Sequence, residues 1–113
     1  MKDDRIYLRH ILECIGFIQS YTKGGRTEFF DDRKTQKATF RELQELAEST
    51  QRLSSTIKYT QPDIPWSDIV GFRNVLVHDY LGLNVSRIWD IVERDLAPLE
   101  TAIEAMMREL ERE

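Results

Sequence analysis

At 113 residues the chain is long enough for one domain, 1–113, with a core of its own and too short for two. Its 41% hydrophobic and 32% charged residues are ordinary for a soluble helical protein. A formal net charge of −4 argues against bulk, non-specific nucleic-acid binding while leaving room for a local basic cleft, and it suits a basic protein partner. No apolar run approaches the ~20 residues that span a membrane, so none is expected. The opening Met-Lys-Asp-Asp-Arg is not followed by the apolar stretch of a secretory signal, and the single Cys14 cannot form an internal disulfide. Together these point to the cytoplasm.

The first helix is expected over 3–21. Ile6, Tyr7, His10, Ile11, Cys14, Ile15, Phe17, Ile18 and Tyr21 recur at helical spacing, and Asp3 and Asp4 suit its positive end. His10 lies within that stripe and reads as a packed, hydrogen-bonded histidine; Cys14 reads as a small core residue. With no second cysteine and no clustered histidines there is no zinc pattern, and no cofactor or metal is expected. Lys23-Gly24-Gly25-Arg26 is a helix stop and turn, since it lacks both the Gly-Lys-Ser/Thr ending and the preceding strand of a phosphate loop. Residues 27–30 fit a short turn tucking Phe29 and Phe30 inward.

Asp31 or Asp32 can cap a second long helix running to about residue 58, with Phe40, Leu43, Leu46, Ala47, Thr50, Leu53 and Ile57 inward. Arg33, Lys34, Lys37 and Arg41 make its first half basic, as a solvated face or, less commonly, a partner or RNA surface. Pro62 and Pro65 mark a loop, after which Trp66 packs at the base of the next helix.

That next segment holds the densest chemistry. Pro65 suits a helix start and Gly82 a stop, so one helix is expected over 66–81. It is apolar nearly all round through Ile69, Val70, Phe72, Val75, Leu76 and Val77, as a buried or interface helix is. Yet it carries Arg73, Asn74, His78 and Tyr80. On an ideal helix Asn74 and His78 form an i,i+4 pair on one face, while Tyr80 falls about 200° from His78. The four can be hydrogen-bonded core polars, or they can line a cleft shared by two chains about a twofold axis. Beyond Gly82, Asn84 caps a further helix bearing Val85, Ile88, Trp89, Ile91 and Val92. Pro98 breaks or kinks it, with Asp95 a possible new cap, before Leu99, Ile103, Met106, Met107 and Leu110. No strand pattern is evident. The expected fold is all-α, an antiparallel bundle of four to five helices with short connections.

Arg-x4-His-x-Tyr, with Asn directly after the Arg, resembles the HepT branch of the HEPN superfamily. Arg73, Asn74, His78 and Tyr80 match position for position. The likeness extends over the whole chain: an amphipathic opening helix, the Asp31-Asp32 loop, a second long helix, Pro-Trp before the motif and a kinked final helix pair. The resemblance implies a HEPN-like symmetric homodimer and a metal-independent endoribonuclease toxin with a composite site. Arg73 and His78 are then catalytic and Asn74 supporting. It also implies that Tyr80 is AMPylated by a minimal nucleotidyltransferase antitoxin of the MntA type.

The residues suit that chemistry. RNA carries its own nucleophile in the 2′-hydroxyl, histidine titrates near neutral pH, and the planar guanidinium can hold two phosphate oxygens. One chain offers one motif histidine, and a dimer offers two, one as base and one as acid. Two other readings stay open. One is a noncatalytic helical subunit binding a nucleotidyltransferase. The other, a DNA-binding regulator, is disfavoured by the net charge and the lack of a basic recognition helix. For Tyr80, simple ring packing with a bonded hydroxyl is the plain alternative.

Overall fold

The computed structural model describes residues 3–78 and 82–112, with Arg73 and His78 described by their backbone alone. Helix α1 (Asp4–Thr22) begins where the Asp3 carboxylate accepts from the Arg5 amide. It ends in the glycine turn, where Gly25 sits at φ 92°, a conformation open to glycine at no steric cost. Helix α2 (Arg26–Asp31) is short and buries Phe29 against Trp89, ring centroids 5.2 Å apart.

Asp32 then caps α3 (Arg33–Arg52), accepting from the Lys34 and Thr35 amides and the Thr35 hydroxyl. Those bonds hold its carboxyl below the usual carboxylate range. Leu43, Leu46, Ala47 and Thr50 face inward as the periodicity predicts, and Phe40 is half-buried. Gln36, Thr39 and Ser49 are buried too.

Helix α3 stops at Arg52 rather than running on to residue 58. Ser54 explains the break: its amide and hydroxyl both donate to the Asp4 carboxylate, at 2.8 and 2.6 Å. Its hydroxyl oxygen also accepts from the Ile57 amide to cap the separate turn α4 (Ser55–Lys58). A side chain that offers the backbone such partners competes with helix continuation. The same contacts tie the end of α3 to the start of α1.

After the proline loop, Trp66 is partly buried on the core, its indole N–H donating to the Gln61 carbonyl at 3.1 Å. The predicted helix over 66–81 is not continuous. It divides at Gly71 (φ −83°, ψ 5°) into α5 (Trp66–Val70) and α6 (Phe72–Leu76). The chain then becomes extended. Strand β1 (Val77–His78) pairs antiparallel with β2 (Gly82–Leu83), Val77 opposite Leu83 and His78 opposite Gly82. Two β-branched valines at Val75 and Val77 weaken helix continuation. Gly82, at φ 79°, is a ladder residue rather than a helix stop. The Asn84 amide closes the arrangement on the Leu76 carbonyl at 2.7 Å.

Asn84 caps α7 (Val85–Asp90) by accepting from the Arg87 amide, as expected. The chain continues through a π-helical turn (Ile91–Asp95) into α8 (Leu96–Glu111). Asp95 makes no side-chain cap bond, contrary to expectation. The wider turn accommodates Pro98, which has no amide to offer the preceding carbonyls, without breaking the rod.

The bundle centres on α1 and α3, with α8 against α1; Gln19 of α1 donates to Glu100 of α8 at 3.2 Å. The all-α architecture stands, with one two-residue ladder added at the motif. Three residues assigned to the inward stripe of α1 face outward instead: Ile6 is 60% exposed, Phe17 48% and Tyr21 38%. The true inward face is Leu8, Ile11, Cys14, Ile15 and Ile18. Among the described residues no helix is long and apolar enough to cross a membrane.

Candidate functional site

The motif occupies the junction of α6 and β1. Arg73 and Asn74 are the second and third residues of α6, and His78 is the second residue of β1. Asn74 and His78 therefore do not share a helix face, because the helix ends between them at Leu76. Tyr80 lies outside the described residues. What holds the junction is local. Leu76 is fully buried in the core, Phe72 nearly so, and the ladder fixes the backbone of His78 against Gly82. Asn74 is exposed, as are its neighbours Val70 and Val75 at 41% and 45%. The expectation of an all-round buried helix thus fails on this one side.

Among the described residues, two grooves border the junction. The first, about 790 Å³, runs from the proline loop across α5 and α6 to the π turn, with Asn74 and Val75 among its lining residues. Among the described residues its charged groups are three carboxylates, Asp63, Asp68 and Asp95, and one cation, Arg87. The second, about 820 Å³, lies between α2, α3 and β2; there the charged groups are Arg33, Lys37 and Asp31. The motif segment is thus bordered by an acidic groove on one side and a basic one on the other. The basic side chains had been legible as a charged run on α3; that they meet the motif hairpin had not.

His10 belongs elsewhere. It bridges α1 and α3, sharing a 2.6 Å hydrogen bond through Nδ1 with Ser49 and lying 3.6 Å from Glu45 through Nε2. It is the packed, hydrogen-bonded histidine that its position in α1 predicts. Cys14 is 1% exposed, and its sulfur lies 3.7 Å from His10 Nε2. Burial, with the Glu42 carboxylate adding to it, pushes the Cys14 thiol up to about 12. The thiolate is therefore a trace species near neutral pH. Native protein at pH 8 should react with iodoacetamide at least about 100-fold more slowly than chain unfolded in urea, followed by intact mass. Equal rates would place the sulfur at the surface. Among the described residues no three His, Cys, Asp or Glu side chains are grouped to hold a metal ion.

Comparison with known proteins bears on this arrangement. A family model described as "Ribonuclease HepT-like" matches residues 11–106. A protein of Methanocaldococcus jannaschii provisionally named as an RNase, MJ0127, is 34% identical over 113 residues, covering 99% of this chain and 93% of that protein. The "Probable ribonuclease HepT" of Thermococcus cleftensis is 32% identical over 103 residues, covering 90% of this chain and 94% of that one. A further M. jannaschii protein, MJ0434, joins a gamma-glutamylcyclotransferase to a provisionally named RNase in its printed name. It is 34% identical over 113 residues, and the chain spans 50% of its length. No solved structure matches. With the family model spanning most of the bundle, motif junction included, the chain belongs to the HepT-like ribonuclease family.

Proposed function

We propose that this chain is the endoribonuclease toxin of a type VII toxin–antitoxin pair. In this reading it cuts RNA without a metal, at a site assembled from two copies of the chain. An MntA-like nucleotidyltransferase silences it by AMPylating Tyr80. The observation that carries the proposal is the gathering of Arg73, Asn74 and His78 at one helix-to-strand junction in a HepT-like chain.

The chemistry follows from the residue types. One imidazole takes the proton of a 2′-hydroxyl. The oxygen bonds to the adjacent phosphorus, the bond to the 5′-oxygen breaks, and a second imidazole returns a proton to that leaving oxygen. The products are a 2′,3′-cyclic phosphate and a 5′-hydroxyl. Arg73 stabilises the extra negative charge on the phosphorane, and Asn74 holds the imidazole or a phosphate oxygen without adding charge. Two imidazoles call for two chains. The exposed Val70 and Val75, beside Asn74, give a second copy an apolar face to cover.

Tyr80 lies two residues after His78 and two before Gly82 in sequence. Transfer of AMP from ATP to its hydroxyl, with release of pyrophosphate, adds bulk and negative charge beside a phosphate-binding site, which opposes RNA entry.

Purified protein in excess chelator should cleave single-stranded RNA to cyclic-phosphate ends. Cleavage lost in chelator and restored by a divalent ion would remove the metal-free mechanism. Co-expression with the nucleotidyltransferase and ATP should add mass in AMP units to the wild type and none to Tyr80→Phe. Additions that persist in that variant would move the modification to another residue.

A further inference from the structure

We infer that the basic groove between α2, α3 and β2 is the subsite for single-stranded RNA next to the scissile phosphate. The inference rests on the ribonuclease reading and names where its substrate lies.

The groove's two cations, Arg33 and Lys37, are exposed and lie one helical turn apart, at i and i+4, so they share a face of α3. Their positions differ by about 6 Å along the helix axis, comparable to the step between successive phosphates of an extended strand. Neither takes part in any ion pair among the described residues, whereas Arg41, the next cation along that face, is held by Glu45 at 3.1 Å. Two cations against one carboxylate, Asp31, give this groove a positive balance on a chain of net charge −4, and there a polyanion is attracted rather than repelled.

The rest of the lining suits nucleotides. Phe30 and Phe40 are half-buried and both line the groove. Phe30 is held from two directions. The buried Gln36 amide donates to the Phe29 and Phe30 carbonyls at 3.0 and 3.1 Å, and the Arg26 guanidinium stacks 4.5 Å from the Phe30 ring centroid. An aromatic surface fixed in this way can stack a base at little further ordering cost. The groove also reaches Gly82, the ladder partner of His78, where no Cβ limits the approach of a strand to the backbone. Phosphates on Arg33 and Lys37 therefore lead the chain to the motif junction. The groove on the opposite side of the junction, with three carboxylates to one cation among the described residues, disfavours the alternative path.

The test uses the full chain and a single-stranded RNA oligonucleotide with every 2′-hydroxyl methylated, which can bind but has no nucleophile. Affinity is read by fluorescence anisotropy across a salt series. Arg33→Ala/Lys37→Ala should raise Kd at least about tenfold at low salt. It should also flatten the slope of log K against log salt by about 1.4, two phosphate contacts at roughly 0.7 each. Arg108→Ala, which removes a cation on α8 outside the groove, should leave both unchanged. Wild-type Kd and slope in the double variant would overturn the inference. So would intact RNA binding together with lost binding of a protein partner, which would give the groove to that partner. Groove-dependent binding by a wild type that cannot cut unmethylated RNA would sink the activity and leave the subsite standing. Cleavage by a wild type whose RNA affinity ignores both cations would sink the subsite alone.

Discussion

His78→Ala should lower kcat for RNA cleavage about 100- to 10,000-fold, the range lost when a positioned proton-transfer group is removed. Arg73→Ala should cost about 100- to 1,000-fold, as expected for a charge that stabilises the phosphorane. The two should fail differently. Without the imidazole the proton steps slow at any RNA concentration, and the pH dependence near neutrality, which histidine supplies, should flatten. Without the guanidinium the pH dependence should survive on a lower plateau. Each variant should keep the wild-type circular dichroism spectrum, because the junction is anchored by Leu76, Phe72 and the β1–β2 backbone pairing rather than by these two positions alone. Cleavage at the wild-type rate by both variants, with folded spectra, would remove the assigned site. The composite site adds a further expectation: dilution below the dimer's dissociation constant should lower specific activity, and a rate per chain independent of concentration down to monomer would refute it.

Leu46→Ala should be strongly destabilising. Leu46 is fully buried in the middle of the helix that packs against α1, α2, α5, α6 and α7. Truncating a buried leucine costs about 2–5 kcal/mol, depending on how far the surroundings collapse into the space. A domain of this size holds about 5–15 kcal/mol in total. A loss near 3 kcal/mol corresponds to a fall in Tm of roughly 10–20 °C. Ile6→Ala is the matched comparison, because its side chain is 60% exposed and should change stability by no more than about 0.5 kcal/mol. Equal melting temperatures for the two variants would mean that α3 is not the centre of the core.

The long elements were legible because their signals are redundant. In α1 the apolar spacing, the N-terminal aspartates and the glycine turn point to the same boundaries, while Asp32 marks the start of α3 and Asn84 that of α7. The motif segment was misread as one helix for a physical reason. A stretch apolar on every side has no phase, so periodicity cannot distinguish a buried helix from a helix followed by a strand. Gly82 fitted both readings, and the β1–β2 pairing, which periodicity does not reveal, decides between them. Polar residues escaped for a related reason. Gln36 is buried because two backbone carbonyls of the preceding helix need its donors, and Ser54 ends α3 because Asp4, fifty positions away, accepts from it. Neither partner is visible to a local pattern. Arg33 and Lys37 were seen as charge; that they sit beside the motif follows from the ladder bringing Gly82 to α3.

The π turn at Ile91–Asp95 sets the bearing of everything after it. Upstream, α7 turns its apolar side toward α2, α3 and α6; downstream, α8 turns its own toward α1. A regular helix keeps one azimuth along its length, so a single straight rod could not serve both neighbours. Five residues wound more loosely supply the difference. Gaining or losing one residue inside this stretch would swing Leu99, Ile103 and Met106 by about 100° around the axis, away from α1. The register of the chain here is therefore constrained by length as strictly as the core is constrained by residue type.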